Sequence, residues 1–372
     1  MTSIIYVGMD VHTTNYTLCC YSMEDDRFFA EVQVEPDAKN ILKYLARIEK
    51  QQSRDCRIVC GYEAGCLGYS LYHQLHAHGI DCVILAPTTM MTKPGKRIKT
   101  DRRDARLISK CLAFHTYSPV YIPTEVDDAV KEYIRMRDDA NSALARVKQQ
   151  IIAFCIRHGK IHDGKSYWTN KHLEWLSSLD LGNKILSEVL QEYLIRYYQQ
   201  REQVDMYDMR INELAQAEPY RQKVEKLGCF RGIAAHTALS FCVEVGDFRR
   251  FATAQQFASY LGLVPGECSS GDKQQYTGIT KAGNSHLRKL LVETAQVFGR
   301  SATKSGKSVA LKERQAKCDS LTVAYADKAN ARLKKKYFKI AMRSKVNIAK
   351  TAVAREMACF IWGMMTDNIS CA

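Results

Sequence analysis

The sequence predicts an α/β domain at the amino end, a pair of long helices in the middle and a mainly helical carboxyl part. Three observations predict it. Through residue 125, short apolar runs broken by turn residues alternate with helical periodicity. Gly and Pro are then nearly absent over 126–158 and 184–218. From 221 onward, apolar residues recur at helical spacing between Gly-containing turns. At 372 residues, 46% of them hydrophobic, the chain is long enough for two or three domains with full cores.

In order, strands are expected over 4–10, 16–22 and 28–34, close enough together for an antiparallel meander with short turns. A helix over 38–50 follows, then a fourth strand over 57–62. Residues 67–78 read as a helix that closes at Gly79, a C-cap residue. A fifth strand over 82–85 stops at Pro87, and a basic loop with Pro94 and Gly95 leads to a helix carrying Asp101 and Asp104. A meander followed by alternating helices and strands is the order of a ribonuclease-H-like sheet, which brings the ends of the first and fourth strands together. The stretches 126–158 and 184–218 are rich in Leu, Ile, Arg, Gln, Glu and Lys and read as two long helices in an antiparallel coiled coil. They form either an arm for dimerisation or spacing, or a helical layer on the first domain. Residues 159–182, polar with Trp168 and Trp175, connect them as a loop or short helix. Helices over 234–245 and 251–263, a loop over 264–273 and a helix from Ser285 complete the reading. The expected domains are 1–125, 126–220 and 221–372.

The net charge is +14, and residues 271–350 hold 19 Lys/Arg against 5 Asp/Glu, while the remainder balances at 35 of each sign. A basic region this asymmetric is the footprint of a polyanion, nucleic acid first. A solvated helix face is the structural alternative. Aromatics interleave with the basic run in Lys334-Lys335-Lys336-Tyr337-Phe338, as in nucleic-acid stacking surfaces. No run approaches the ~18 apolar residues of a membrane span. The start, Met-Thr-Ser, does not read as a signal peptide. The 14 cysteines show no paired metal spacing and are expected to be reduced thiols in a cytosolic, nucleoid-associated protein.

Asp10 ends the first strand run and Glu63 the fourth, and Asp101 and Asp104 lie three apart at a helix start, on one face. A lone Asp in such places is ordinarily a turn or cap residue. Four acids in this order form a hard-cation site suited to Mg²⁺ or Mn²⁺. Two such ions would clamp the attacking and leaving oxygens of a phosphodiester. His12, two residues after Asp10, either orients substrate or is a hydrogen-bonded structural histidine.

Several motifs resemble those of one family, the DEDD-class insertion-sequence transposases, RNA-guided recombinases that use a bridge RNA. They are Gly8-Met9-Asp10-Val11-His12, Gly61-Tyr62-Glu63-Ala64 and Lys99-Thr100-Asp101-Arg102-Arg103-Asp104-Ala105, then Tyr260-Leu261-Gly262-Leu263-Val264-Pro265, Ser269-Ser270-Gly271 and Gly278-Ile279-Thr280-Lys281-Ala282-Gly283-Asn284. The resemblance implies a RuvC-like nuclease domain, a coiled-coil insertion and a helical transposase domain. It implies that Asp10, Glu63, Asp101 and Asp104 hold Mg²⁺. It also implies a serine nucleophile that bonds to DNA phosphate, at Ser270, with Ser269 the neighbouring candidate. Where the family has a Pro-Gly-Ile-Gly turn, this chain has Phe230-Arg231-Gly232-Ile233-Ala234, a departure that bears on phosphate binding at that turn and not on the catalytic residues. Lys281, Arg288 and Lys289, with Lys334, Lys335 and Lys336, are expected on DNA or RNA phosphates, and Arg102 and Arg103 either there or paired with acids. The expected partners are donor and target DNA, a guide RNA and further copies of the chain, as a dimer that pairs into a tetramer. A metal-dependent nuclease or junction resolvase using water is the main competing reading. An actin-like kinase lacks its Gly-rich nucleotide motifs here, and a non-catalytic nucleic-acid binder would leave the acids without a role.

Overall fold

The structure, a computed structural model, describes residues 3–52, 56–65, 67–90, 100–267, 276–300 and 306–369. The chain divides into two compact units, Met1–Ile122 and Pro123–Ala372.

In the first unit, β1 (Ser3–Val11), β2 (Tyr16–Ser22) and β3 (Arg27–Val34) form the meander, followed by α1 (Ala38–Gln51), β4 (Cys56–Glu63), α2 (Ser70–Ala77), β5 (Asp81–Leu85) and α3 (Asp101–Ala113). The sheet order is β3-β2-β1-β4-β5. β1 runs antiparallel to β2 and parallel to β4, and β4 runs parallel to β5. That order and those directions are ribonuclease-H-like. Alternation along β1 sorts its side chains: Ile5, Val7 and Met9 join the core with Ile41, Leu45 and Ile48 of α1, while Tyr6 joins Ile108 and Leu112 of α3 on the other face. Asp10 and Glu63 share the parity of the α3 face. α2 is shorter than expected: Tyr69 is its N-cap, and Gly79, at φ +73, follows its C-cap His78.

The second unit opens with α4 (Glu125–Arg157) and α6 (Lys184–Gln216), both 33 residues, joined through α5 (Asn170–Ser177). Their contacts run in opposite directions. Arg137 forks onto Asp208, Lys148 lies over Tyr197 and Phe154 meets Tyr193. The pair is therefore an antiparallel hairpin with its own core of Leu144, Val147, Ile151, Leu190 and Leu194. There follow α7 (Arg221–Gly228), α8 (Ala235–Val245), α9 (Ala254–Tyr260), β6 (Pro265–Glu267), β7 (Tyr276–Ile279), α10 (Ser285–Ala295), α11 (Val309–Gln315), α12 (Ser320–Ala341) and α13 (Val346–Met365).

Two sequence expectations are corrected here. The helix expected over 251–263 is only α9: Phe251 is extended, Thr253 caps Gln256 N–H, and Gly262 turns at φ +64. Inside the expected loop at 264–273 lies β6, paired antiparallel with β7. Among the described residues, no helix is long and apolar enough to cross a membrane.

Candidate active site

Gly8 sets the geometry of the acidic cluster. A Cβ there would strike Ala105 O and Ser109 N of α3, so the missing side chain lets the helix backbone lie directly on β1. Ala105 and Ser109 are one helical turn apart, and Asp101 is the preceding member of the same i, i+4 row. From Gly8 to Asp10 the strand advances about 7 Å. From Ala105 back to Asp101 the helix retreats about 6 Å. The two advances nearly match, so the close contact at Gly8 delivers Asp101 opposite Asp10.

One ligand atom each from Asp10, His12 and Asp101 lies within 4.8 Å of the others. His12 Nε2 stands 3.2 Å from Asp10 Oδ2, and the His12 N–H donates to Asn15 O at 3.0 Å, pinning the turn between β1 and β2. The Asp10 side chain is 14% exposed and that of His12 47%. Burial raises the pKa of Asp10, the charge of His12 lowers it, and Asp101 and Asp104 raise it further. Asp101 and Asp104 lie in the first turn of α3, where the helix dipole favours negative charge. A half-buried carboxylate crowded by two others, with oxygen and imidazole donors converging, fits a hard divalent cation.

Not every predicted acid joins this group. Glu63 ends β4 one step past the Met9–Tyr62 pair, beside Asp10 in register, but its side chain is exposed and outside the cluster of ligand atoms. Asp104 acts on Asp10 through charge. His12 is the residue that sequence reasoning undervalued. Its spacing of two from a strand-end Asp was the available signal, because such residues share a face.

The expected nucleophiles, Ser270 and Ser269, lie outside the described residues, between β6 and β7. What flanks them is tightly braced. Lys281 N–H donates to Gly262 O, Asn284 N–H to Tyr260 O and Thr280 N–H to Val264 O. A Cβ on Gly262 or Gly283 would strike the backbone of Ala282 or Tyr260. Arg288 spends its guanidinium on this brace, donating to Leu261 O at 2.9 Å and Ala282 O at 3.0 Å. Glu244 of α8, 7% exposed, accepts from Asn284 Nδ2 at 2.9 Å and meets His286 Nδ1 at 3.2 Å. His286 Nε2 in turn meets Asp138 of α4 at 2.8 Å. Burial pushes His286 down, but the carboxylates of Asp138 and Glu244 beside it prevail and hold its pKa at about 9. This network links α4, α8 and α10, and no sequence motif announced it.

The predicted basic residues divide. Lys281, Lys289 and Lys335 are exposed and Lys334 is half-buried. Lys336 Nζ lies 2.5 Å from Glu356, which Arg332 also holds. Arg102 and Arg103 are exposed, and Arg102 Nε stands 3.3 Å from Glu31. At the Phe230–Ala234 turn, Gly232 backs onto Thr294 and Val297, and Arg231 N–H is taken by Asn330.

Comparison with known proteins places this geometry. The transposase family named for DEDD and IS110 matches residues 7–156, and the Transposase IS116/IS110/IS902 family matches residues 225–314. A putative transposase y4qE of Sinorhizobium fredii is 36% identical over 307 residues, 82% of this chain and 75% of its own. The transposase for insertion sequence element IS1111A of Coxiella burnetii is 25% identical over 263 residues, 68% of this chain and 71% of its own. The transposase for insertion sequence element IS1533 of Leptospira borgpetersenii is 32% identical over 340 residues, 90% of this chain and 95% of its own. An acidic cluster on a ribonuclease-H-like sheet and relatedness over nearly the full length agree: the chain belongs to the DEDD-class insertion-sequence transposases of the IS116/IS110/IS902 family.

Proposed function

We propose that this transposase cuts and rejoins DNA through a covalent serine–phosphate link, with a guide RNA choosing the sites. Ser270 is the nucleophile, and Asp10, Glu63, Asp101 and Asp104 hold Mg²⁺ or Mn²⁺. The observation that carries the reading is the convergence of Asp10 and Asp101 ligand atoms on one point of the α3 face. These residues would hold a divalent ion, which would supply a lowered pKa for an attacking hydroxyl and charge stabilisation for the phosphate oxygens. The Ser270 oxygen bonds to phosphorus as the bond to the 3′ oxygen breaks. One proton leaves the serine and one is taken up by the departing 3′ oxygen. Attack by the 3′ hydroxyl of another strand reverses the step, so strands are exchanged with no net loss of phosphodiester bonds. The lysines at 281, 289, 334 and 335 and Arg102 and Arg103 contact phosphates, whereas Lys336 is held by Glu356 and Arg288 serves chiefly to brace Leu261 and Ala282. Base pairing with the RNA supplies sequence choice, so the protein reads mainly backbone and shape. The α4–α6 hairpin pairs copies of the chain as a coiled coil, giving a dimer that pairs into a tetramer on two DNA sites.

A covalent-trapping assay tests this. Protein, donor DNA, target DNA, Mg²⁺ and RNA from the element's flank are mixed and run on denaturing gels. A protein–DNA adduct is expected in the wild type and absent from Ser270→Ala and Asp10→Ala. Cleavage without an adduct, unchanged in Ser270→Ala, would make water the nucleophile and the protein a hydrolytic nuclease.

A further inference from the structure

We infer that His12 is itself a ligand of the metal at Asp10 and Asp101, and that its imidazole biases the site toward Mn²⁺ over Mg²⁺. The inference rests on the metal reading above and adds to its acids a residue of different chemistry. Three observations carry it. A ring nitrogen of His12, not a backbone group, converges with the carboxylate oxygens of Asp10 and Asp101. Adjacent ligands of an octahedral ion with bonds of about 2.1 Å lie about 3 Å apart. The 3.2 Å between His12 Nε2 and Asp10 Oδ2 is that separation, so one ion can take both atoms with little movement of either. The His12 backbone is fixed by its bond to Asn15 O, while its side chain is 47% exposed. The ring is thus anchored at its base and reachable from solvent.

Glu63 is compatible with this by its position. Its side chain is exposed and stands outside the converging group, whereas His12 stands within it, so His12 can be a ligand alongside Glu63 rather than in its place. The donor change has a chemical consequence. Mg²⁺ takes oxygen ligands almost exclusively, whereas a nitrogen donor favours first-row transition ions. Mn²⁺ is one of these that also accepts carboxylates readily. A histidine that only orients Asp10 by a hydrogen bond would not discriminate between the two ions.

The test is Mn²⁺ binding to the full chain, read by pulsed electron paramagnetic resonance and by calorimetry, without DNA or RNA. Wild-type protein is expected to show a ¹⁴N coupling to bound Mn²⁺. His12→Ala and His12→Gln should both lose it, and Gln retains a polar partner for Asp10 if Ala disturbs the turn. Mn²⁺ affinity should fall at least about tenfold in both, the loss that even an outer partner of a ligand brings. Mg²⁺ affinity should fall less. Mn²⁺ bound without nitrogen coupling, or coupling that survives both substitutions, overturns the role of His12 and leaves the acidic site standing. Binding no stronger in the wild type than in Asp10→Asn overturns the metal reading and this inference with it.

Discussion

Gly8 holds a place that no side chain can occupy, because the backbone of α3 fills the position of its Cβ. Gly8→Ala must push Ala105 and Ser109 away from β1 and carry Asp101 with them. Overpacking of this kind costs about 1–3 kcal/mol. Denaturant unfolding should show that loss, and calorimetry should show weaker divalent-ion binding in the same variant. Asp10 makes the complementary case. Burial is the largest cause that lifts its pKa above the ordinary 3.8, and Asp101 and Asp104 add to it. An acid shifted upward costs stability at neutral pH, and the cost vanishes once both folded and unfolded states are protonated. Asp10→Asn is therefore expected to melt above the wild type at pH 7 in chelator. That advantage should shrink as pH falls toward and below 3.8. It should also shrink when excess Mg²⁺ stabilises the wild type by binding. Thermal melts over pH with and without the ion check both statements. That these acids stand at strand ends and a helix start was readable, because such positions are marked in sequence. The share of His12 was not, since a histidine beside an aspartate reads equally well as a turn residue.

Among elements, α4, α8 and α10 are joined by charges rather than by packing alone. Asp138, Glu244 and His286 each come from a different one of them. Burial raises Glu244, but His286, Asn284 and Arg135 outweigh it and hold it at about 2. His286, held at about 9 against an ordinary 6.5, contributes stability that is complete below pH 6.5 and is lost as pH rises through 9. His286→Gln should be less stable than the wild type at pH 6, with the gap closing by pH 9.5 or so. Unfolding midpoints across that range measure it. Nothing in the sequence pairs residues 138, 244 and 286, because their meeting depends on three helices packing at angles that periodicity does not encode. Local signals did better. The long Gly-free stretches gave the hairpin, and the turn residues gave the meander. Residues 251–263 failed because helical periodicity continued through Thr253 and Gly262, whose capping and φ of +64 end the helix early.

For the whole molecule, the excess charge lies near the carboxyl end, so salt should weaken DNA binding steeply. The lysines of α12 are not equivalent in this respect. Lys335 is exposed, and removing it should lower the slope of log affinity against log salt by about 1 if it meets a phosphate. Lys336 is committed to Glu356, and Lys336→Ala should change that slope less. Filter binding from low to moderate salt separates the two. The charge count was legible from sequence, but which lysines are committed to an internal acid was not. The hairpin carries a different consequence. Its residues meet in reversed order, from Arg137 with Asp208 through Lys148 with Tyr197 to Phe154 with Tyr193. A deletion in one helix alone would slide every later partnership out of step. Descendants of this chain can therefore change the length of the hairpin only by matched losses or gains in both helices, or at its tip, so that length should evolve in paired increments.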